Sequence, residues 1–153
     1  MQVWRLCKAC WAQSAFSGEG ARRVGGRWNH KGVAVVYAAR SLSLAAIELF
    51  VHLEPEDRPD DLVQISAEIP AGVSRRKLTL ANLPKNWRAY PAPTMLQTLG
   101  SEWVRAGESA ILELPSAVIP NETNVLVNPN HADFQDITIN PPEPFFFDPR
   151  MWK

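Results

Sequence analysis

A glycine- and arginine-rich stretch near the start of the chain is the part of the sequence best suited to binding an anion. Residues 21–37 read ARRVGGRWNHKGVAVVY and contain no acidic residue. Consecutive glycines let a backbone approach a ligand closely and expose N–H groups, and an adjacent arginine can grip a phosphate with a two-pronged hydrogen bond. Gly25, Gly26 and Arg27 therefore predict an anion site, with a tight turn bearing a solvated basic edge as the alternative. The spacing is not the GxGxxG dinucleotide signature, and no helix follows directly.

Three further residues carry groups suited to chemistry, and each also has an ordinary structural explanation. Glu48 is the one charge on an otherwise apolar helical segment, and such a carboxylate can stabilise a cationic transition state. Tyr37 ends an apolar strand and can present its ring to a planar ligand. Ser116 lies in LPSAVIP, between two short predicted strands. Taken singly, they are equally compatible with a helix-flank carboxylate, a core aromatic and a polar turn residue.

The two cysteines, Cys7 and Cys10, form a single CKAC motif. A structural zinc site takes four ligands, and the sequence has no second CxxC motif and three scattered histidines. We therefore interpret both cysteines as reduced thiols in a cytosolic protein and predict no metal site and no cofactor.

The overall charge of the chain argues against a dedicated DNA or membrane binder. Sixteen basic and sixteen acidic residues cancel over 153 residues, whereas nucleic-acid binders usually carry a net basic footprint. The length favours a single domain over residues 1–153. The first residues lack the apolar core of a signal peptide, and no run approaches the roughly 20 apolar residues of a membrane span. The sequence thus predicts a soluble cytoplasmic protein.

Apolar periodicity predicts the elements that must position these groups. The clearest is a helix over residues 41–53, with Ser41 as its N-cap and an apolar stripe on one side; the stripe comprises Leu42, Ala45, Ala46, Leu49, Phe50 and Leu53. A second helix is expected over 93–105, closed by Gly107. The first segment, 3–16, should begin as a strand and turn helical at 8–14, and 17–32 should be a break followed by a loop. Strands are predicted at 33–38, 62–69, 77–80, 110–114, 118–119, 124–127, 137–139 and 145–147. Few helices among many short strands indicate an α+β fold of compact mixed sheets.

The order of these motifs resembles the RES domain family, which is named after arginine, glutamate and serine residues. The resemblance rests on the loop GGRWN, the strand ending at Tyr37, the helix segment AAIE, and later PSAV and LVNPNH. It extends from Trp4 to the region of Phe134. Residue by residue, it implies catalytic roles for Arg27, Tyr37, Glu48 and Ser116, and binding roles for Arg5, Gly26, Arg27, Asn29, Tyr37 and Asn128.

The resemblance also implies a fold and an activity. RES proteins are toxins of bacterial toxin–antitoxin pairs, with an ADP-ribosyltransferase-like fold, that consume NAD as a substrate. Their antitoxin partners carry a helix-turn-helix DNA-binding domain. By this resemblance we expect cleavage of the nicotinamide–ribose bond with water or phosphate as acceptor, a homodimer within a toxin–antitoxin complex, and no direct contact with nucleic acid or membrane.

Two other functions use the same residues. A transferase that moves ADP-ribose onto a protein would share the fold and the NAD pocket, but its acceptor would have to dock. A nucleic-acid-binding module would use the cations and the aromatic ring of Arg22, Arg23, Arg27, Trp28 and Lys31. Release of nicotinamide, labelling of a protein and salt-dependent RNA binding distinguish the three.

Overall fold

Alternating apolar residues build one eight-stranded sheet with three α-helices, so the α+β class expected from the sequence is the class that the chain adopts. The computed structural model describes all residues, 1–153. The strands are β1 (Gln2–Lys8), β2 (Val36–Ala39), β3 (Leu62–Glu68), β4 (Arg75–Lys77), β5 (Ile111–Pro115), β6 (Thr123–Val127), β7 (Thr138–Ile139) and β8 (Glu143–Pro144). The helices are α1 (Glu19–Val24), α2 (Leu42–Phe50) and α3 (Thr94–Ala106), with 3-10 turns at Ala9–Ser14, Leu80–Asn82, Ala132–Asp136 and Pro149–Trp152.

The sheet is almost divided between β1 and β2. Its strand order is β4-β5-β6-β2-β1-β3-β7, with β8 also paired to β3, and β4 and β5 are the parallel pair. β1 pairs with β3 along its whole length but with β2 through Trp4 and Ala39 alone. The two halves of the sheet are therefore joined through this one pair of residues, and the Arg5 side chain reaches the β2 backbone at the junction.

The two faces of the sheet bury different clusters, because successive side chains on a strand point to opposite sides. One face contributes Val3, Ile65, Ile111, Val125 and Val127 to the largest core cluster. The other face packs in two places, against α2 through Leu6, Ala39, Leu44 and Ala45, and against α3 through Leu112, Leu114, Leu126, Leu96 and Trp103. Both longer helices thus cover the same face, α2 over β1 and β2 and α3 over β5 and β6. We call the space between them the groove.

Helix α2 begins as predicted but ends earlier. Ser41 caps it by accepting a hydrogen bond from the Leu44 backbone N–H at 3.1 Å, as its residue type predicts. The helix ends at Phe50 instead of residue 53. Its buried residues are Leu44 and Ala45, so the core-facing side includes Leu44, which the predicted stripe left out, beside the stripe residues Leu42 and Leu49. Helix α3 matches its predicted extent to one residue at each end, and Gly107 closes it with φ of 61°.

Several short elements were predicted wrongly. Residues 118–119 form no strand, since the backbone N–H groups of Val118 and Ile119 donate to the Ser116 hydroxyl in a turn. Residues 145–147 form none either, because the pairing to β3 uses Glu143–Pro144. Of the phenylalanines that follow, Phe147 packs against Phe50 and Phe146 is exposed. The strand expected at 77–80 lies at Arg75–Lys77, the predicted strand 33–38 is shortened to Val36–Ala39, and the expected break and loop contain the helix Glu19–Val24. No helix of the chain combines the length and apolar character needed to cross a bilayer.

Gly100 allows α3 to touch the loop after α1, and we expect this position to tolerate no side chain. A Cβ built there would lie 1.9 Å from the Trp28 carbonyl oxygen. Gly100→Ala should therefore lower the unfolding free energy by about 1–3 kcal/mol or more, as overpacking does, measured by urea unfolding. Gly20 is the control: a Cβ there meets nothing within 4 Å, so Gly20→Ala in α1 should raise stability by roughly 0.5–1 kcal/mol. Equal stability of Gly100→Ala and the wild type would contradict the contact.

Candidate active site

The carboxylate of Glu48 is fixed through one of its two oxygens. Ser116 Oγ donates to Glu48 Oε1 at 2.6 Å, and Asn124 Nδ2 donates a second hydrogen bond to the same oxygen. The Ser116 oxygen in turn accepts from the backbone N–H groups of Val118 and Ile119, which directs its single proton to Glu48. The carboxylate is thus held by α2, by the turn after β5 and by the start of β6.

Arg27 is fixed in a corresponding way on the other side of the groove. Its Nη1 donates to Trp87 O at 2.8 Å and to Ala89 O at 3.1 Å. Burial lowers the pKa of Arg27, while the negative charge of nearby Glu48 acts in the opposite direction. Glu48 and Arg27, predicted to share a site, therefore lie close enough to interact electrostatically.

Each of these two charged groups keeps polar atoms available to a ligand. Glu48 Oε2 and Arg27 Nε and Nη2 make no hydrogen bond within the protein. Arg5 Nε is the only buried side-chain nitrogen or oxygen in the chain that lacks a partner, so the unpaired atoms of Glu48 and Arg27 must be open to solvent. The groove consequently offers one negatively charged hydrogen-bond acceptor, Glu48 Oε2, and two positively charged donor nitrogens, Arg27 Nε and Nη2, to the same molecule.

Tyr37 holds the loop that carries Arg27. Its hydroxyl donates to Asn29 Oδ1 at 2.7 Å and accepts from the Trp28 N–H at 2.9 Å. A Cβ on Gly26 would lie 2.6 Å from that hydroxyl, so glycine is required where the ring enters the loop. By strand register, Tyr37 lies on the same face of the sheet as Asn124, and its ring therefore faces the groove that contains Glu48.

The loop does not offer its backbone to an anion, contrary to the prediction. The Gly25 N–H donates to Ala21 O and the Gly26 N–H to Asn29 O. Asn29 is 0% exposed, and its amide donates to the carbonyls of Ala21, His30 and Val33. Gly26 and Asn29 shape the loop, so the direct ligand contacts expected of them are not available in this structure.

Ser116 and Asn128 are also too buried for the direct contacts predicted for them. Ser116 is 0% exposed and its hydroxyl donates its hydrogen bond to Glu48. Ser116 therefore orients the carboxylate. Asn128 is 2% exposed; its amide donates to Val104 O and its side-chain oxygen accepts from the Asn130 N–H. It therefore ties the end of β6 to α3, four residues along the chain from Asn124.

Arg5 enters the sheet where β1 and β2 separate. Its Nη1 donates to Tyr37 O at 2.7 Å, and its Nε is buried without a partner. Burial lowers the pKa of this arginine, and Cys7 on the same side of β1 acts in the opposite direction. Arg5 thus supports the backbone of Tyr37; a direct contact with a ligand stays a prediction.

Sequence reasoning missed Asn124. Asn124 could have been found as a polar residue at the start of an apolar strand. Because side chains alternate between the two faces of a sheet, the strand register puts Asn124 on the same face as Tyr37. Gln97, also missed, donates from α3 to Gly26 O at 3.0 Å and fixes the loop from outside. No group of three or more histidine, cysteine, aspartate or glutamate side chains is arranged to hold a metal ion.

The fold is shared with a solved protein. A solved chain of the M. tuberculosis MbcT-MbcA toxin–antitoxin complex superimposes with a TM-score of 0.74 over 99% of this chain and 86% of that one, at 18% identity. The chain therefore has the α+β, ADP-ribosyltransferase-like fold that the sequence led us to expect.

The sequence comparisons identify the family within that class. The model of the RES domain matches residues 2–148. The Prs ADP-ribosylating toxin of Sphingobium sp. (strain YBL2) is 40% identical over 152 residues, covering 97% of this chain and 94% of the relative. Toxin Res of Yersinia enterocolitica (strain NCTC 13174 / 8081) is 37% identical over 152 residues, covering 99% of both chains. This chain belongs to the RES domain family, and the resemblance drawn from its motifs is confirmed.

The buried hydroxyl of Tyr37 should make the free energy of unfolding fall as the pH rises into the alkaline range. Burial raises the pKa of Tyr37 above its usual value of about 10. The unfolded chain then releases this proton at lower pH than the folded protein, so the contribution of Tyr37 is complete below about pH 10 and is lost as the pH rises further. Tyr37→Phe should therefore show a shallower loss of unfolding free energy between about pH 9 and pH 11 than the wild type.

Urea unfolding across that pH range measures the effect. Near pH 7 the same variant should be about 1–3 kcal/mol less stable, because the Trp28 N–H loses its acceptor. Tyr90 is the control, since it is 84% exposed and Tyr90→Phe should keep the wild-type slope. A wild-type alkaline slope in Tyr37→Phe would show that the hydroxyl is not buried as described.

Proposed function

We propose that this protein is the toxin of a toxin–antitoxin pair and that it depletes NAD by cleaving the bond between nicotinamide and ribose. One observation carries the proposal: Glu48 and Arg27 lie close enough to interact electrostatically, and each keeps polar atoms that make no hydrogen bond within the protein. Family membership and the names of two relatives, both toxins, support it.

The chemistry needs a fixed negative charge beneath the ribose. When the glycosidic bond breaks, its electron pair moves to the nicotinamide ring and positive charge develops on the ribose, as in an oxocarbenium-like state. Glu48 Oε2 can accept a hydrogen bond from a ribose hydroxyl and stabilise that charge more than it stabilises the ground state. Oxygen of water, or of phosphate, then bonds to the anomeric carbon, and attack by water releases a proton. The hydrogen bonds from Ser116 and Asn124 fix the carboxylate in advance, so it needs no reorganisation during the reaction.

Arg27 and Tyr37 provide the rest of the proposed substrate site. The unpaired Nε and Nη2 of Arg27 form a fork that matches a phosphate of the dinucleotide. The ring of Tyr37 faces the groove while its hydroxyl is occupied in the loop, so the aromatic face is left to stack on the cationic nicotinamide. In this proposal the diphosphate binds near the loop and the reacting sugar binds near α2.

A toxin that consumes NAD needs a partner that blocks it. The structural neighbour comes from a toxin–antitoxin complex, and we propose an antitoxin for this chain that carries a helix-turn-helix domain, with the toxin as a homodimer in the complex. Any contact with DNA would then run through the antitoxin, which agrees with the balanced charge of the chain.

Glu48→Gln tests the central role. Glutamine keeps the shape and an oxygen for Ser116 and Asn124, but it removes the charge, so turnover should fall at least about 100-fold, the size of effect seen when a preorganised electrostatic contact is lost. The assay incubates purified protein with NAD and measures free nicotinamide by chromatography, with and without added phosphate. Glu102→Gln, an exposed position on α3, is the matched control and should keep the wild-type rate. Full turnover by Glu48→Gln would exclude the assigned role.

A second assay, which follows the ADP-ribose part of NAD, separates hydrolysis from transfer. A 40% identical relative is named an ADP-ribosylating toxin, and a protein nucleophile in place of water would use the same groove. NAD labelled on its adenylate group should yield free ADP-ribose or its phosphate ester from this protein. A labelled protein band in a bacterial lysate would instead identify a transferase.

Arg27→Ala should weaken substrate binding. Loss of a charge-assisted contact with a phosphate corresponds to roughly a tenfold or greater rise in KM. Thermal unfolding of the variant must accompany the kinetics, because Arg27 also holds the carbonyls of Trp87 and Ala89. A folded variant with unchanged KM and turnover would remove Arg27 from the substrate site.

A further inference from the structure

The segment between the 3-10 turn at Leu80–Asn82 and α3 lies beside the groove and carries a second arginine. The two carbonyls that Arg27 binds, Trp87 O and Ala89 O, stand on either side of Arg88. The side chain of Trp87 is buried in the cluster beneath α3, which fixes the segment to the core. The backbone of Arg88 is consequently held against the guanidinium of Arg27.

The side chain of Arg88 runs from this point to the opposite wall of the groove. Its Nε donates to Ala117 O at 2.9 Å, and Ala117 follows the serine that holds Glu48. Its two terminal nitrogens make no hydrogen bond within the protein, and the residue is exposed. One bond therefore restrains the guanidinium while leaving its terminal donors available between the Arg27 loop and the Ser116 turn.

A dinucleotide has two linked phosphates, and the backbone N–H groups of the loop are not free to bind them. The Gly25 and Gly26 N–H groups, the expected donors, are occupied inside the loop. Arg27 has Nε and Nη2 available, which is one fork for one phosphate. Further donors must come from another side chain. Arg88 lies between the two residues whose carbonyls bind Arg27, and its own Nε donates to Ala117 O.

We propose that Arg88 is a second diphosphate-binding residue, which grips one phosphate of the dinucleotide while Arg27 grips the other. This rests on the proposed function, since it assumes a dinucleotide substrate. It assigns to residues 87–89 the task of completing the substrate site. Arg88 takes no part in breaking the bond, so its loss acts on binding.

Arg88→Gln tests the assignment. KM for NAD should rise about tenfold with kcat within about twofold of wild type, the size expected for one charge-assisted contact. The affinity for ADP-ribose, measured by calorimetry, should fall by the same factor, whereas inhibition by nicotinamide, which has no phosphate, should not change. Arg88→Lys should restore part of the affinity. Lys85→Ala, an exposed change on the same segment, is the control and should behave as wild type.

The outcomes separate this proposal from the proposed function. Nicotinamide release by the wild type together with wild-type KM and ADP-ribose affinity in Arg88→Gln would overturn the role of Arg88 alone. A fall in kcat with unchanged KM would show that Arg88 merely supports the Ser116 turn, and would also overturn it. A wild type that neither cleaves NAD nor binds ADP-ribose would overturn both.

Discussion

The hydrogen bonds that Ser116 and Asn124 donate to one oxygen of Glu48 are the interaction on which the groove depends. They join α2 to the turn after β5 and to the start of β6, whose bonding residues lie 68 and 76 residues further along the chain. Because both bonds use the same oxygen, the carboxylate is held without being fully paired. A fully paired carboxylate would be a structural element, whereas this one keeps an acceptor for a ligand.

The near division of the sheet makes this arrangement possible. β1 and β2 share a single pair of residues, Trp4 and Ala39, and Arg5 bridges the gap by bonding the Tyr37 carbonyl. Helix α2 contacts the strands on both sides of the division through Leu6, Ala39 and Leu44. The carboxylate on α2 and the ring of Tyr37 on β2 are thus set by the same junction, and a change in the separation of the two strands would move both.

Positive charge is concentrated by geometry instead of by composition. The chain has no net charge, yet residues 87–89 bring two arginines together. The carbonyls on either side of Arg88 bind Arg27, and the Arg88 side chain donates to Ala117 O. The burial that lowers the pKa of Arg27 also strengthens its attraction to Glu48, because a less hydrated pair is less screened. A small patch of this kind is sufficient for a diphosphate and leaves the rest of the surface neutral.

The sequence by itself determined the α+β class, helix α2 with its Ser41 cap, the end of α3 at Gly107 and the family. These follow from side-chain periodicity, capping chemistry and local motifs, which act over a few residues. The tertiary structure alone decided which polar atoms remain unpaired: the loop amides and Asn29 are used internally, Ser116 is buried behind Glu48, and Asn124 is added as its second support. Hydrogen-bond partners 68 and 76 residues away, for Ser116 and Asn124, cannot be read from local pattern. They depend on strand register and on the division of the sheet, which no short stretch of sequence specifies.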